Sequence, residues 1–198
     1  MNQKRPSIIF LGASTISSFG LAEEDSFVAQ LQSLYDESGA AYQVINAGAP
    51  GASSESGVEQ LTPYLDSKHD LAAVVITLGL SDAVYRIDPG SIKYNLKSVI
   101  KLTRGYDPNV KIFLCKARFF QEAVMRPLPI EYETPYLRLF PDLATEEGIP
   151  LLPFILRDVA GQVHLNQDDR LHPTAEGMKI VAQNVYESLA EYLSTGKG

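Results

Sequence analysis

A chain of 198 residues, 45% apolar and 21% charged, has the length of one domain, expected to span residues 1–198, and enough apolar content to bury a full core. Its net charge of −7 speaks against a nucleic-acid or anionic-membrane surface, which needs clustered lysine and arginine. The single cysteine, Cys115, leaves no intrachain disulfide, and no window reaches the run of about 20 apolar residues that a membrane span requires.

The first seven residues lead into no apolar stretch of signal-peptide length, so the chain reads as cytoplasmic or as a mature exported one. Ile8 to Leu11 form a short apolar run, the pattern of a strand buried on both faces, and a strand is expected over residues 8–12. It ends in a small-residue turn, Gly12-Ala13-Ser14. A helix is expected over 25–38, where Phe27, Leu31 and Leu34 share one face and acidic residues stand at the amino end. Further strands are expected over 42–46, 73–78, 110–116 and 150–152. Helices are expected over 55–65, 91–103, 134–147 and 174–193, the last carrying Ile180, Val181, Val185, Leu189 and Leu193. Residues 118–135, with five charges and three prolines, read as a long surface loop. Strands alternating with helices predict a parallel sheet with helices on both faces.

In such a sheet the loops at the carboxyl ends of the strands emerge on one edge and converge. Three matter here: Gly12-Ala13-Ser14, the glycine-rich stretch from Ala47 to Ser53, and Gly79-Leu80-Ser81-Asp82. Taken singly, each is also a plain tight turn. Asp169-Arg170-Leu171-His172-Pro173 adds the chemistry that they lack. A serine nucleophile needs a base that accepts a proton near neutral pH, which histidine supplies, and an acceptor to fix the histidine tautomer. Asp169, three residues before His172, is within reach of that ring, and Pro173 is expected to start the last helix. His69 is expected to be a solvated residue before the third strand.

On these blocks the chain resembles the SGNH, or GDSL, hydrolase family, and within it the small bacterial thioesterase, lysophospholipase and arylesterase group. The usual Gly-Asp-Ser block lies on Gly12-Ala13-Ser14, and the Asn-Ala-x-x-x-Gly loop lies on Asn46 to Gly51. Gly-x-Asn-Asp lies on Gly79 to Asp82, and Asp-x-x-His-Pro stands intact as Asp169 to Pro173. The resemblance covers nearly the whole chain. It implies a three-layer α/β/α sandwich, flavodoxin-like, around a five-stranded parallel sheet. It also implies a serine hydrolase cleaving esters or thioesters, with a small-molecule substrate and no metal or organic cofactor. Ser14 would be the nucleophile, His172 the base and Asp169 the residue orienting it. The oxyanion hole would comprise the N–H groups of Ser14 and Gly51 and the side chain at Ser81.

This chain departs from the family pattern around the chemistry: Ala13 and Ala52 stand where aspartates are usual, and Ser81 where asparagine is. Leu80, Val84, Tyr85, Phe119 and Phe120 are the expected substrate-binding residues, the two phenylalanines being equally compatible with core positions. Asp82 is expected to tie down its own loop. Two other readings are open to the sequence: a binding module that keeps the fold without turnover, and a metal site drawing on His164, Asp168 or Asp169, and His172, which lacks a further ligand nearby.

Overall fold

The structure, a computed structural model, describes residues 5–118 and 128–193. Five strands, β1 (Ser7–Leu11), β2 (Gln43–Asn46), β3 (Leu71–Ile76), β4 (Lys111–Cys115) and β5 (Leu151–Leu152), form one parallel sheet in the order β2-β1-β3-β4-β5. The helices are α1 (Phe27–Ser38), α2 (Gly57–Asp66), α3 (Leu80–Tyr85), α4 (Pro89–Tyr106), α5 (Ile130–Glu147) and α6 (Ala175–Ala190).

Strand alternation divides the core into two layers. Ile8 and Phe10 of β1, Ala73 and Val75 of β3, and Phe113 and Cys115 of β4 pack beneath α1 and α6. The intervening residues Ile9, Leu11, Val74, Ile76, Ile112 and Leu114 pack on the other face against α2, α4 and α5. Burial on both faces explains why the strands read as unbroken apolar runs, the expected three-layer α/β/α sandwich with its parallel sheet. The chain runs from β1 outward to β2 and then crosses back to β3 on the other side of β1. Their carboxyl ends therefore make a topological switch point, the place where open α/β sheets take ligands.

The element boundaries carry corrections with local causes. Asp25 does not enter α1; it closes a 3₁₀ turn, Glu23–Asp25, and the Ser26 side chain accepts from the N–H of Ala29 to cap the helix. Pro173 does not start α6 but bridges to Asn166, and Thr174 is the cap, accepting from Gly177 N–H. The expected loop over 118–135 is cut short, because α5 begins at Ile130 and carries Pro135 inside it. Tyr136 is fully buried there and its hydroxyl donates to the Gly79 carbonyl (3.0 Å), so tertiary anchoring outweighs the proline. A further helix, α3, stands where the sequence pattern predicts none. His69 is half-buried rather than solvated: its ring packs on Tyr64, and its Nδ1 is enclosed without a hydrogen-bond partner.

Candidate active site

Ser14 stands three residues beyond the end of β1, in a turn where Ser17 N–H donates to Ala13 O and Phe19 N–H to Ser14 O. Gly12 is obligatory at the exit from the strand, since a Cβ there would lie 2.3 Å from Thr77 Oγ1 and 2.4 Å from Ile16. The second loop holds this turn from below. The Asn46 amide donates to Ile16 O (2.8 Å), and its oxygen accepts from Gly48 N–H (2.8 Å). Gly51 follows, exposed and at φ 73°.

The third loop leaves β3 at Gly79, whose φ of 132° and Cβ direction toward Phe140 exclude a side chain. Asp82 is 1% exposed and accepts from both the N–H and the hydroxyl of Ser54 (2.8 and 2.6 Å). Asn95 Nδ2 donates in turn to Ser54 Oγ (3.0 Å). Asp82 thus ties the third loop to the second.

Between the first and third loops lies a cavity of about 90 Å³, lined by Ala13, Ser14, Leu80, Ser81 and Val84 and closed from the other side by Cys115 and the 154–156 stretch. Ser14 and Ser81 therefore share one apolar pocket. Leu80, Ser81 and Val84 occupy one side of α3 and line the cavity, whereas Tyr85, next on the helical turn, is 65% exposed and is not among its lining residues. Phe119 and Phe120 lie outside the described residues. Burial in apolar surroundings pushes the Cys115 thiol up to about 12, so the thiolate is not formed at neutral pH.

Leu171 reaches the same cavity and brings the loop of His172 to it. Asp169 Oδ1 accepts from the N–H groups of Leu171 (2.9 Å) and His172 (3.0 Å), and its Oδ2 lies 2.6 Å from His172 Nδ1. Partial burial raises the Asp169 carboxyl, but the hydrogen bonds from the His172 ring and from those two backbone groups outweigh it and hold it at about 2. A carboxylate only accepts, so Nδ1 carries a proton, and in the neutral ring Nε2 is the acceptor. His164 is exposed on a separate 3₁₀ turn, Val163–Leu165, and among the described residues no group of three His, Cys, Asp or Glu side chains is placed to hold a metal ion.

Two residues at this site went unnoticed in the sequence. Phe19, half-exposed, sets its ring 5.0 Å from that of His172, joining the serine loop to the histidine loop. Gln167 Nε2 donates to the carbonyls of Phe19 (2.9 Å) and Pro173 (3.0 Å), clasping the same junction. The one signal for Phe19 is an aromatic ring standing between Ser18 and Gly20, where no apolar periodicity calls for it.

The doubly wound sheet, the switch-point pocket with a serine in it and the His–Asp pair beside it define the class: a hydrolase of the SGNH type. The match to the model of the GDSL-like lipase/acylhydrolase family, over residues 10–180, makes the assignment particular. The chain belongs to that family and is a carboxylic ester hydrolase. It is 28% identical over 191 residues to esterase TesA of Pseudomonas aeruginosa, covering 94% of this chain and 89% of that one. It is 27% identical over 192 residues to an arylesterase of Vibrio mimicus, covering 97% and 92%. A crystal structure of TesA superposes with a TM-score of 0.82 at 26% identity, covering 93% of this chain and 98% of the other.

Proposed function

We propose that this protein hydrolyses esters, and thioesters, of short acyl groups through an acyl-enzyme on Ser14. The observation that carries the reading is the 2.6 Å contact between His172 Nδ1 and Asp169 Oδ2, which leaves Nε2 able to take a proton. Ser14 Oγ attacks the carbonyl carbon as His172 removes its proton. The N–H groups of Ser14 and Gly51 hold the developing oxyanion, with the Ser81 hydroxyl as third donor. His172 returns the proton to the departing alcohol or thiol. It then draws a proton from a water that attacks the acyl-enzyme, releasing the acid and free Ser14. The cavity beside Ser14 measures about 90 Å³, less than the roughly 150 Å³ of a cavity that takes up benzene. That supports acyl groups of a few carbons, with longer chains forced out toward solvent past Val84, 43% exposed.

The test is a series of p-nitrophenyl and thioester substrates of graded acyl length, with fluorophosphonate labelling followed by peptide mapping. The expected result is a label on Ser14 and a kcat/KM that falls beyond short acyl groups. A label elsewhere, or none, removes the proposed nucleophile. A maximum at long chains removes the short-acyl reading.

A further inference from the structure

We infer that Gln60, on α2, is a positioning residue that sets the nucleophile loop against the oxyanion loop. The side chain makes a two-point contact with a single backbone residue. Its Oε1 accepts from Gly12 N–H (3.0 Å), and its Nε2 donates to Gly12 O (2.9 Å). The amide orientation is dictated by its partners, because a backbone N–H only donates and a carbonyl only accepts.

The point of contact gives the pair its significance. At Gly12 the chain has just left β1. The Gly12 carbonyl accepts a second hydrogen bond, from Ala49 N–H at 3.1 Å. Gly12 lies two residues before Ser14, and Ala49 two residues before Gly51. One carbonyl is therefore the junction of the two loops whose N–H groups are proposed to bind the oxyanion, and Gln60 holds that junction from the helix side. Without Gln60, the Gly12 N–H would lose the acceptor it has here.

The departures of this chain from the block pattern are compatible with this arrangement. Ala13 and Ala52, where the family pattern has carboxylates, offer no side-chain acceptor to either loop. Both pack into the apolar layer beneath α2 and α4. The polar grip on the serine turn comes instead from a neutral amide on the adjacent helix. Gln60 sits on the inward stripe of α2 with Gly57 and Leu61, a polar residue on an otherwise apolar face.

The inference rests on the acyl-enzyme reading, and the experiment separates the two. Wild type, Gln60→Leu and Gln60→Glu are compared in the rate of fluorophosphonate labelling, which reports nucleophile and oxyanion geometry without deacylation, and in kcat and KM on a short p-nitrophenyl ester. Gln60→Glu keeps the shape and the acceptor for Gly12 N–H, and replaces the donor to Gly12 O with a charged carboxylate oxygen. Both labelling rate and kcat are expected to fall by about ten-fold or more, the Leu variant further, with KM within about two-fold, as for small displacements of reacting groups. Val185→Ala, on the buried face of α6, supplies a control of reduced stability, expected to keep its labelling rate. Equal loss in that control would assign the effect to stability and overturn the inference. So would Gln60 variants that label at the wild-type rate. Wild type that labels nowhere would remove the proposed reaction, and this inference with it.

Discussion

In the proposed reaction the Ser14 hydroxyl becomes a competent nucleophile only beside a base, and His172 is competent only in the tautomer that Asp169 selects. Ser14→Ala exchanges one small turn residue for another. It is expected to keep the folded circular-dichroism signal and to lose both hydrolysis and labelling. Asp169→Asn can present its amide N–H to Nδ1 and leave the proton on Nε2, so a loss of about 10⁴ in kcat is expected, against a melting temperature changed by only a few degrees. In that proposal the third oxyanion donor is the weak point. Ser81 lines the cavity next to Ser14, but its arm is shorter than an asparagine's. Ser81→Asn is expected to raise kcat on short esters by about ten-fold, part of the 10²–10³ that such a donor supplies in other enzymes. Steady-state assays at saturating substrate check it, and an unchanged or lower kcat would mean that the pocket is shaped around serine.

At the scale of elements, the site is a set of loops fastened to one another more than to solvent. Asp82 at the start of α3 accepts two hydrogen bonds from Ser54 just ahead of α2, and Asn95 of α4 completes the chain. Asp82→Ala would leave the Ser54 N–H and hydroxyl without their acceptor in a buried place. The expected cost is about 3 kcal/mol, or roughly 6–12 °C in melting temperature for a chain of this size. Ser54→Ala, which removes only the hydroxyl, is expected to cost less. Differential scanning calorimetry of the pair tests the order. α5 plays the matching part on the other side of α3, with the hydroxyls of Tyr132 and Tyr136 on the carbonyls of Asp82 and Gly79.

Across the whole molecule, acid should act through a few carboxylates held well below their usual range. Hydrogen bonds from Lys93 and Lys97 take Glu146 from 4.5 to about 2. Asp169, against the pull of its own partial burial, is taken from 3.8 to about 2 by His172 and the adjacent backbone. Both are depressed in the folded chain, so their contributions are complete above the unfolded values and are lost as pH falls from about 4.5 through 2. Urea denaturation across that interval is expected to show a steep loss of stability, and the double variant Glu146→Gln, Asp169→Asn a shallower one. High salt should remove the Glu146 share first, because that pair is exposed to solvent on both sides.

The parallel sheet was legible in the sequence because burial on both faces leaves an unambiguous mark: apolar runs too short for helices, each followed by a stretch with helical spacing. Gly12-Ala13-Ser14 and Asp169 to His172 were legible for a related reason. Local chemistry, a tight turn and a three-residue reach, sets each block, and the topology brings both to one sheet edge. Three features depended on contacts between residues far apart in the chain, and no local pattern encodes those. Pro135 reads as a helix breaker until Tyr136 is seen anchored on Gly79, 57 positions away. Tyr85 and Val84 are neighbours of similar character, and only the helical turn of α3 against the serine loop places one in the pocket and the other in solvent. Gln60 reads as one more polar residue on a helix until it is found 48 positions from Gly12 and bonded to both sides of its backbone. The sequence by itself determined the architecture and marked the short blocks proposed to carry the chemistry, because periodicity and short-range stereochemistry suffice for both. The tertiary structure alone decided how the loops are held in register, since that rests on single side chains whose partners are chosen by the fold.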